Sequence, residues 1–277
     1  MSELAIIAVH GMGDTKRNFD QRLKKEIRDR VGDDRWQNLV WRQVYFQDIL
    51  QDNQERVMQD SMRQANVDWI RLRRFLLYGF SDAATMQARP HLPGSVYQQI
   101  QQKILDVLED ALKVLGDPKK PVVVISHSLG CQVVSNFLWD AQSTKKVESG
   151  VFRSDSAKPI GKTSLDDKFR RLKTLKYWFT SGCNMPIFVA GLPKKEIHPV
   201  ATNSRGWRFR WENYYDPDDV LGWPLQPLSS EYRTAVAVDR DINAGGLVSS
   251  WTPMSHLGYW KDDDFLDPIE NALRSLL

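Results

Sequence analysis

The stretch Pro121–Trp139 reads PVVVISHSLGCQVVSNFLW, and it decides the fold of this chain. A short run of β-branched residues predicts a buried strand over 122–125. The run breaks at Ser126-His127-Ser128 into small and polar residues, and an apolar pattern with helical spacing follows. The stretch therefore predicts a strand, a tight turn and a helix, with Ser128 at the turn.

Ser128 has a small residue two positions away on each side, Ser126 before it and Gly130 after it. A serine hydroxyl is a poor nucleophile unless the backbone lifts it clear of the sheet and a neighbouring base takes its proton. A turn of the form small-x-Ser-x-Gly between a strand and a helix achieves this, and it aims the next N–H at a developing oxyanion. The alternative is a serine that only caps the helix.

Composition bounds the class of protein. The chain has 277 residues, of which 42% are hydrophobic, and this favours one domain with a sizeable core. Its 38 Lys and Arg are scattered and nearly balanced by 35 Asp and Glu, so we expect no nucleic-acid partner. Two cysteines favour a reducing compartment over a disulfide framework. Without a recognisable signal peptide or an apolar run near 20 residues, we expect a soluble, cytoplasmic protein.

Strand and helix patterns alternate along the chain, which predicts an α/β fold with a mostly parallel central sheet and helices on both faces. We expect one domain over 1–277, with a helical insertion at about 47–93 and a surface loop at 143–170. The predicted strands are 4–9, 39–46, 122–125, 175–180, 207–214 and 235–239. The predicted helices include 18–31, 95–115 and a closing helix that starts at Asp267-Pro268.

A nucleophilic serine also needs a base and an acid, which follow it in the order Ser, Asp or Glu, His when this turn is used. Of the five histidines, His256 lies after the last predicted strand and is the base that we choose. The loop after the strand at 207–214 offers three candidate acids, and their spacing does not separate Asp216, Asp218 and Asp219. Asp239 and Asp241 are alternative acids, but they belong to the last predicted strand, where surface or strand-end contacts are expected of them.

The first strand ends in His10-Gly11-Met12-Gly13, which we call the HGMG turn. Its glycines allow the backbone to approach a reacting carbonyl carbon closely. We expect the N–H groups of Met12 and Leu129 to form an oxyanion hole, worth about 3 kcal/mol for each donor in comparable sites. His10 is then expected to order the turn and to do no proton chemistry.

These motifs resemble the α/β-hydrolase superfamily, and within it the serine lipases and esterases. A closer likeness is to DDHD-type intracellular phospholipases, whose acid loop DPVAYRIEPL aligns without a gap with Asp219–Leu228. The alignment favours Asp219 as the acid, and His256 precedes Tyr259-Trp260 as their histidine precedes Tyr-Trp. The chain departs from that pattern in having Ser126 for glycine and Val220 for proline, and the D-D-H-D set that names the family is not evident.

The resemblance implies an α/β-hydrolase fold and hydrolysis of carboxylic esters by the triad Ser128, His256 and Asp219, with no cofactor and no metal. The expected substrate is a small-molecule or lipid ester. Acyl transfer or thioester cleavage by the same triad is an alternative, as is a non-catalytic scaffold. The segment 67–80 is interpreted as a packed helix with an exposed arginine edge, or alternatively as a lid or a helix in peripheral membrane contact. The sequence leaves the oligomeric state open.

Overall fold

Six strands form one parallel sheet at the centre of the computed structural model, which describes residues 2–13, 15–64, 68–156, 159–204, 206–244 and 258–277. The spatial order is β2-β1-β3-β4-β5-β6, and every neighbouring pair is parallel. The strands are β1 (Leu4–Val9), β2 (Leu39–Val44), β3 (Val122–His127), β4 (Leu175–Ser181), β5 (Arg210–Tyr215) and β6 (Val236–Asp241). The prediction of a parallel α/β sheet is confirmed.

Strand β1 explains why both faces of the sheet are covered. All six of its residues are buried, and successive side chains point to opposite faces. Ala5, Ile7 and Val9 join one apolar cluster, whereas Leu4, Ile6 and Ala8 join the other. A strand that is apolar at every position needs helices on both sides.

The described residues form ten α-helices, and the main ones divide between the two faces of the sheet. Helices α1 and α10 cover one face, where Arg30 forms ion pairs with Asp263 and Asp267. Helices α5 and α6 pack on the other face. Their bounds are α1 (Gln21–Val31), α2 (Asp33–Trp36), α3 (Gln51–Gln64), α4 (Ile70–Gln87), α5 (Val96–Leu115), α6 (Leu129–Gln142), α7 (Leu165–Arg170), α8 (Met185–Val189), α9 (Ser230–Ala235) and α10 (Asp263–Leu276).

Several predicted boundaries need correction. The closing helix does not start at Asp267-Pro268 but at Asp263, because the Asp262 carboxylate accepts the N–H of Asp264 at 2.9 Å and caps the helix four residues earlier. The strand predicted at 207–214 is β5, and Trp207–Arg208 pairs separately with Asn203–Ser204. Strand β6 runs two residues further than predicted.

The two predicted insertions, at 47–93 and 143–170, differ in how much helix they contain. The helical insertion at 47–93 contains α3 and α4, as predicted. The segment 143–170 is only partly a surface loop, because it ends in helix α7, whose Phe169 is fully buried, and Phe152 is also buried. The segment is mostly polar, so its composition alone does not predict that Phe152 and Phe169 are buried.

Candidate active site

The topology brings the HGMG turn and Ser128 to the same edge of the sheet. Strands β1 and β3 are parallel neighbours, with Val9 opposite Ser126, so the turns that follow them both leave from the carboxyl edge. Strand β2 lies on the other side of β1, and the strand order therefore reverses between β1 and β3. Open α/β sheets bind their ligands in the crevice at such a reversal.

The backbone at Ser128 is strained. Its φ of 53° and ψ of −126° lie in a region that residues with a side chain rarely adopt. Two hydrogen bonds hold it there: its N–H donates to the Ser181 carbonyl at 2.9 Å, and its own carbonyl accepts the Cys131 N–H at 3.0 Å. Conformations of this kind cost about 1–3 kcal/mol and cluster at functional sites.

The Ser128 hydroxyl is not a helix cap. Ser128 precedes α6, but its side chain accepts no hydrogen bond from the first turn of that helix. The residue is 1% exposed, and its Oγ has no hydrogen-bond partner in the described part of the chain. A buried hydroxyl without a hydrogen-bond partner lowers the stability of the fold. A catalytic role is one of the reasons why such a group is retained.

Two glycines make room for the turn around Ser128. A Cβ on Gly11 would lie 2.6 Å from the Ser128 Cβ, and one on Gly130 would lie 2.3 Å from the His10 carbonyl oxygen. Neither contact is tolerable for a real side chain. Ser126, which stands where such turns often have glycine, is buried, and its Oγ accepts the Trp178 Nε1–H at 2.9 Å.

The HGMG turn is held on several sides. The His10 Nε2 accepts the Phe46 N–H at 3.1 Å, so its Nδ1 is the protonated nitrogen and donates to the Gly11 carbonyl at 2.6 Å. The imidazole stacks on Phe46, and burial lowers the pKa of His10 to about 4. The Gly13 N–H donates to Asp82 at 3.1 Å. His10 is thus neutral at physiological pH and orders the turn.

The N–H of Leu129 is the first in α6 and has no acceptor one turn earlier in that helix. It lies at the positive end of the helix dipole. Met12 follows Gly11 directly and is therefore one residue from the contact with Ser128. Both N–H groups of the predicted oxyanion hole thus belong to backbone that touches Ser128.

Burial sets Asp218 apart from the other two candidate acids, and contacts distinguish Asp216 from Asp219. Asp218 is exposed, whereas Asp216 and Asp219 are 3% and 4% exposed. The Asp216 carboxylate accepts the N–H of Asp218 at 2.9 Å and so stabilises its own turn. The Asp219 carboxylate accepts the Leu221 N–H at 3.0 Å through one oxygen and the Tyr259 hydroxyl at 2.8 Å through the other.

Tyr259 was not predicted to have a role, and it connects the acid loop to the chain that follows His256. It is fully buried, donates its hydroxyl proton to Asp219 and accepts the Asp216 N–H at 2.8 Å. Its neighbour Trp260 donates its Nε1–H to the Ser181 hydroxyl at 3.2 Å. An aromatic pair after the histidine was the only signal in the sequence. His256 itself lies outside the described residues.

The other described histidines do not bind the Ser128 hydroxyl. His127 has its Nδ1 3.0 Å from the Ser181 carbonyl oxygen, and its ring lies beside Tyr259 and Trp260. His198 is exposed and its Nδ1 contacts Glu231. His91 is exposed as well. His256 therefore stays the predicted base.

Asp239 contacts the end of β5 and the chain beyond it, as expected. Its carboxylate accepts the Asn213 amide at 2.7 Å and the Leu225 and Gln226 N–H groups at 2.8 and 2.7 Å. Asp241 is exposed. The two residues thus have the strand-end and surface positions expected of them.

A cavity of about 280 Å³ opens beside the HGMG turn. Gly11, Met12 and His127 line the side toward Ser128, and Phe19 and Trp260 line another. Its wall therefore combines backbone of the turn with aromatic surface. In the described ranges, no three His, Cys, Asp or Glu side chains are grouped to hold a metal ion. No described helix is both long and apolar enough to cross a bilayer.

Fold and site together define an α/β protein with a strained, buried serine at the reversal point of a parallel sheet. No protein-family model matches the chain, and no curated protein matches its sequence.

Proposed function

We propose that the protein is a serine hydrolase of carboxylic esters with an α/β-hydrolase fold. The observation that carries this proposal is Ser128, whose strained turn follows a central strand and whose buried hydroxyl has no described partner. Ser128 attacks the acyl carbon, His256 takes its proton and returns it to the leaving alcohol, and Asp219 orients the imidazole. Water then releases the acyl group by the same steps.

The strand order supports this proposal. A nucleophilic serine of this class sits at the top of a parallel sheet between a strand and a helix, and the loop after a neighbouring strand supplies an oxyanion N–H. Here β3 and α6 flank Ser128, and the HGMG turn follows β1. The N–H groups of Leu129 and Met12 are the two donors that we assign to the oxyanion.

Chain connectivity supports His256 and Asp219. Tyr259 follows His256 by only three residues in the sequence. The Tyr259 hydroxyl in turn contacts the Asp219 carboxylate at 2.8 Å. Asp219 is also the acid that the resemblance to DDHD-type phospholipases favours.

The surroundings favour an ester with an apolar acyl chain. Met12, Phe19 and Trp260 line the cavity beside the HGMG turn. A peptide substrate would need polar partners for its backbone, and these side chains offer none. Each step of the proposed reaction uses protein side chains and water.

A fluorophosphonate probe tests the proposal because it reacts with activated serines. We expect labelling of the folded wild type, loss of labelling in Ser128→Ala, and unchanged labelling in Ser61→Ala, which alters an exposed serine on α3. A folded wild type that is not labelled would contradict the proposal. Nitrophenyl esters of increasing acyl length then define the substrate, and added alcohol or thiol acceptors separate hydrolysis from acyl transfer and thioester cleavage.

A second candidate function is a non-catalytic scaffold, and the surface of α4 favours it. Trp69 is 77% exposed, Phe80 is 66% exposed, and Leu76 lies between them on the same side of the helix. Arg73 is exposed on that side too, so the surface combines aromatic and cationic groups. Such a surface suits the interface of an anionic membrane.

Sedimentation with vesicles containing phosphatidylserine tests this candidate. We expect the wild type to bind and the double variant Trp69→Asn, Phe80→Ser to bind more weakly; asparagine tolerates the φ of 60° at position 69. Trp139→Ala removes another exposed tryptophan, from α6, and serves as the control. Binding without probe labelling would favour the scaffold over the hydrolase.

A further inference from the structure

Helix α4 reaches the HGMG turn through a buried carboxylate. Asp82 is fully buried, and one of its oxygens accepts the Gly13 N–H at 3.1 Å. Its other oxygen accepts the side-chain amide of Gln54 from α3. The two insertion helices therefore hold a residue that is 69 positions earlier in the chain.

The same helix supports the preceding residue of the turn. Gly79 lies against Met12, since a Cβ on Gly79 would be 2.9 Å from the Met12 Sδ. Gly79 precedes Asp82 by three residues, so the two positions are on the same side of α4. Helix α4 thus contacts both Met12 and Gly13.

Met12 is consequently fixed from two directions. On one side Gly11 touches Ser128, and on the other side Gly13 is bound to Asp82. The hydrogen bond to Gly13 fixes the peptide plane between residues 12 and 13, because that plane is rigid. The N–H of Met12 belongs to the preceding peptide, which lies between this fixed plane and Gly11, the residue packed against Ser128.

We propose that Asp82 is a positioning residue, which aims the Met12 N–H at the oxyanion during catalysis. This role rests on the proposed hydrolase function and extends it, because it assigns the helical insertion a part in the reaction besides covering the core. A misplacement of about 1 Å at a catalytic group can cost about 100-fold in rate. The removal of an oxyanion donor costs about 100- to 1,000-fold.

The surroundings of Asp82 suit this role. A buried carboxylate is costly unless hydrogen-bond donors surround it. Asp82 has such donors in the Gly13 N–H and the amides of Gln54 and Gln47. Burial raises the pKa of Asp82 to about 6, and the carboxylate is charged at neutral pH. A hydrogen bond to a charged acceptor is stronger and more directional than a neutral one.

The test compares Asp82→Ala, Asp82→Asn and the control Tyr78→Phe in the full chain. Alanine removes the acceptor, whereas asparagine keeps an oxygen that can accept the Gly13 N–H. Tyr78 is buried on α4 one turn away, and its hydroxyl donates to Glu55 on α3, so Tyr78→Phe changes a buried contact of the same helix without removing the carboxylate that binds Gly13. Thermal unfolding confirms that each variant is folded.

Ester kinetics, the rate of probe labelling and the Gly13 amide signal are measured on each variant. For Asp82→Ala we expect kcat on a nitrophenyl ester and the rate of fluorophosphonate labelling to fall about 10- to 100-fold, with KM within about twofold. Asp82→Asn should recover most of the rate and Tyr78→Phe should stay within about twofold. In protein labelled with ¹⁵N-glycine, the Gly13 amide should shift and exchange faster in Asp82→Ala only.

The outcomes separate this role from the proposed function. A reactive wild type with an equally reactive Asp82→Ala would overturn the role of Asp82 alone. An unchanged Gly13 amide would overturn the contact on which the role depends. A wild type that never reacts with the probe would overturn the proposed function and the role together. If Asp82→Ala does not fold, Asp82→Ser takes its place, because its hydroxyl is too short to reach the Gly13 N–H at the position of the lost carboxylate oxygen; the same fall in rate and the same change of the Gly13 amide are expected, and a wild-type rate in folded Asp82→Ser would overturn the role.

Discussion

Gly11 lies so close to Ser128 that a Cβ placed on it would be 2.6 Å from the Ser128 Cβ and 3.2 Å from the Ser128 Oγ. The contact joins the turn after β1 to the turn after β3, 117 positions further along the chain. It closes one side of the serine hydroxyl and sets the distance between the predicted nucleophile and the Met12 N–H. The position therefore requires a residue without a side chain.

Gly11→Ala should lower the rate of fluorophosphonate labelling by at least about 100-fold, because the new methyl group must push the turn away from Ser128. Labelling rate and thermal midpoint are measured together to separate misplacement from unfolding. Gly191→Ala is the matched control, since a Cβ there meets no atom within 4 Å. Normal labelling of a folded Gly11→Ala protein would mean that the turn does not border the reacting atoms.

Asp219→Asn should lower turnover by about 1,000- to 10,000-fold, whereas Asp216→Asn should leave it within about tenfold. Both carboxylates are buried and each accepts an N–H of its own turn, and that of Asp219 also accepts the Tyr259 hydroxyl. Steady-state kinetics on one ester compare the two variants. The reverse ranking would transfer the acid to Asp216.

Tyr259→Phe removes the hydroxyl that links Asp219 to the Asp216 N–H. It should cost about 1–3 kcal/mol of unfolding free energy, because an N–H and a carboxylate oxygen lose a buried partner. Urea unfolding measures this cost, and Tyr177→Phe, at a less buried tyrosine of β4, provides the comparison. Equal stability of the two variants would argue against a structural role of the Tyr259 hydroxyl.

The sequence predicts the parts of the fold and site that depend on local pattern. The strand before Ser128, the HGMG turn and their meeting at one edge follow from apolar runs and from the geometry of parallel strands. The contact of Asp82 with Gly13 does not follow, because a buried acid on a helix resembles any other acid until the helix is packed. The choice between Asp216 and Asp219 depends on the contact of Asp219 with the distant Tyr259, which the spacing of the acids does not contain.

His10 and Asp82 should affect stability in opposite directions between about pH 4 and 6.5. Burial lowers the pKa of His10 from 6.5 to about 4, against a weaker attraction by Asp48. The unfolded chain then binds the proton more readily, so the His10 contribution is present above pH 6.5 and is lost as the pH falls toward 4. Burial raises the pKa of Asp82 from 3.8 to about 6, so its contribution is present below pH 3.8 and is lost as the pH rises through 6.

Variants are needed to separate the two effects, because they oppose each other in the wild type. From pH 8 to pH 5, the wild type should lose about 2 kcal/mol of unfolding free energy because the unfolded chain binds a proton at His10 more readily. His10→Gln does not show this loss. Asp82→Asn should lose more unfolding free energy than the wild type from pH 8 to pH 5. The reason is that protonation of Asp82 stabilises the wild type over this range, and asparagine cannot be protonated in this way. Urea unfolding at both pH values checks the two differences. Parallel pH curves for all three proteins would contradict the assigned burial of these groups.

Ser128→Gly should raise the unfolding free energy by about 1 kcal/mol while abolishing fluorophosphonate labelling. The φ of 53° at Ser128 costs about 1–3 kcal/mol for a residue with a side chain, and glycine adopts it freely. The greater entropy that glycine loses on folding returns about 0.5–1 kcal/mol of that gain. Urea unfolding of the wild type, Ser128→Gly and Ser128→Ala measures the effect. Alanine keeps the strain and removes only the hydroxyl, so a Ser128→Gly protein less stable than Ser128→Ala would show that the turn is not strained.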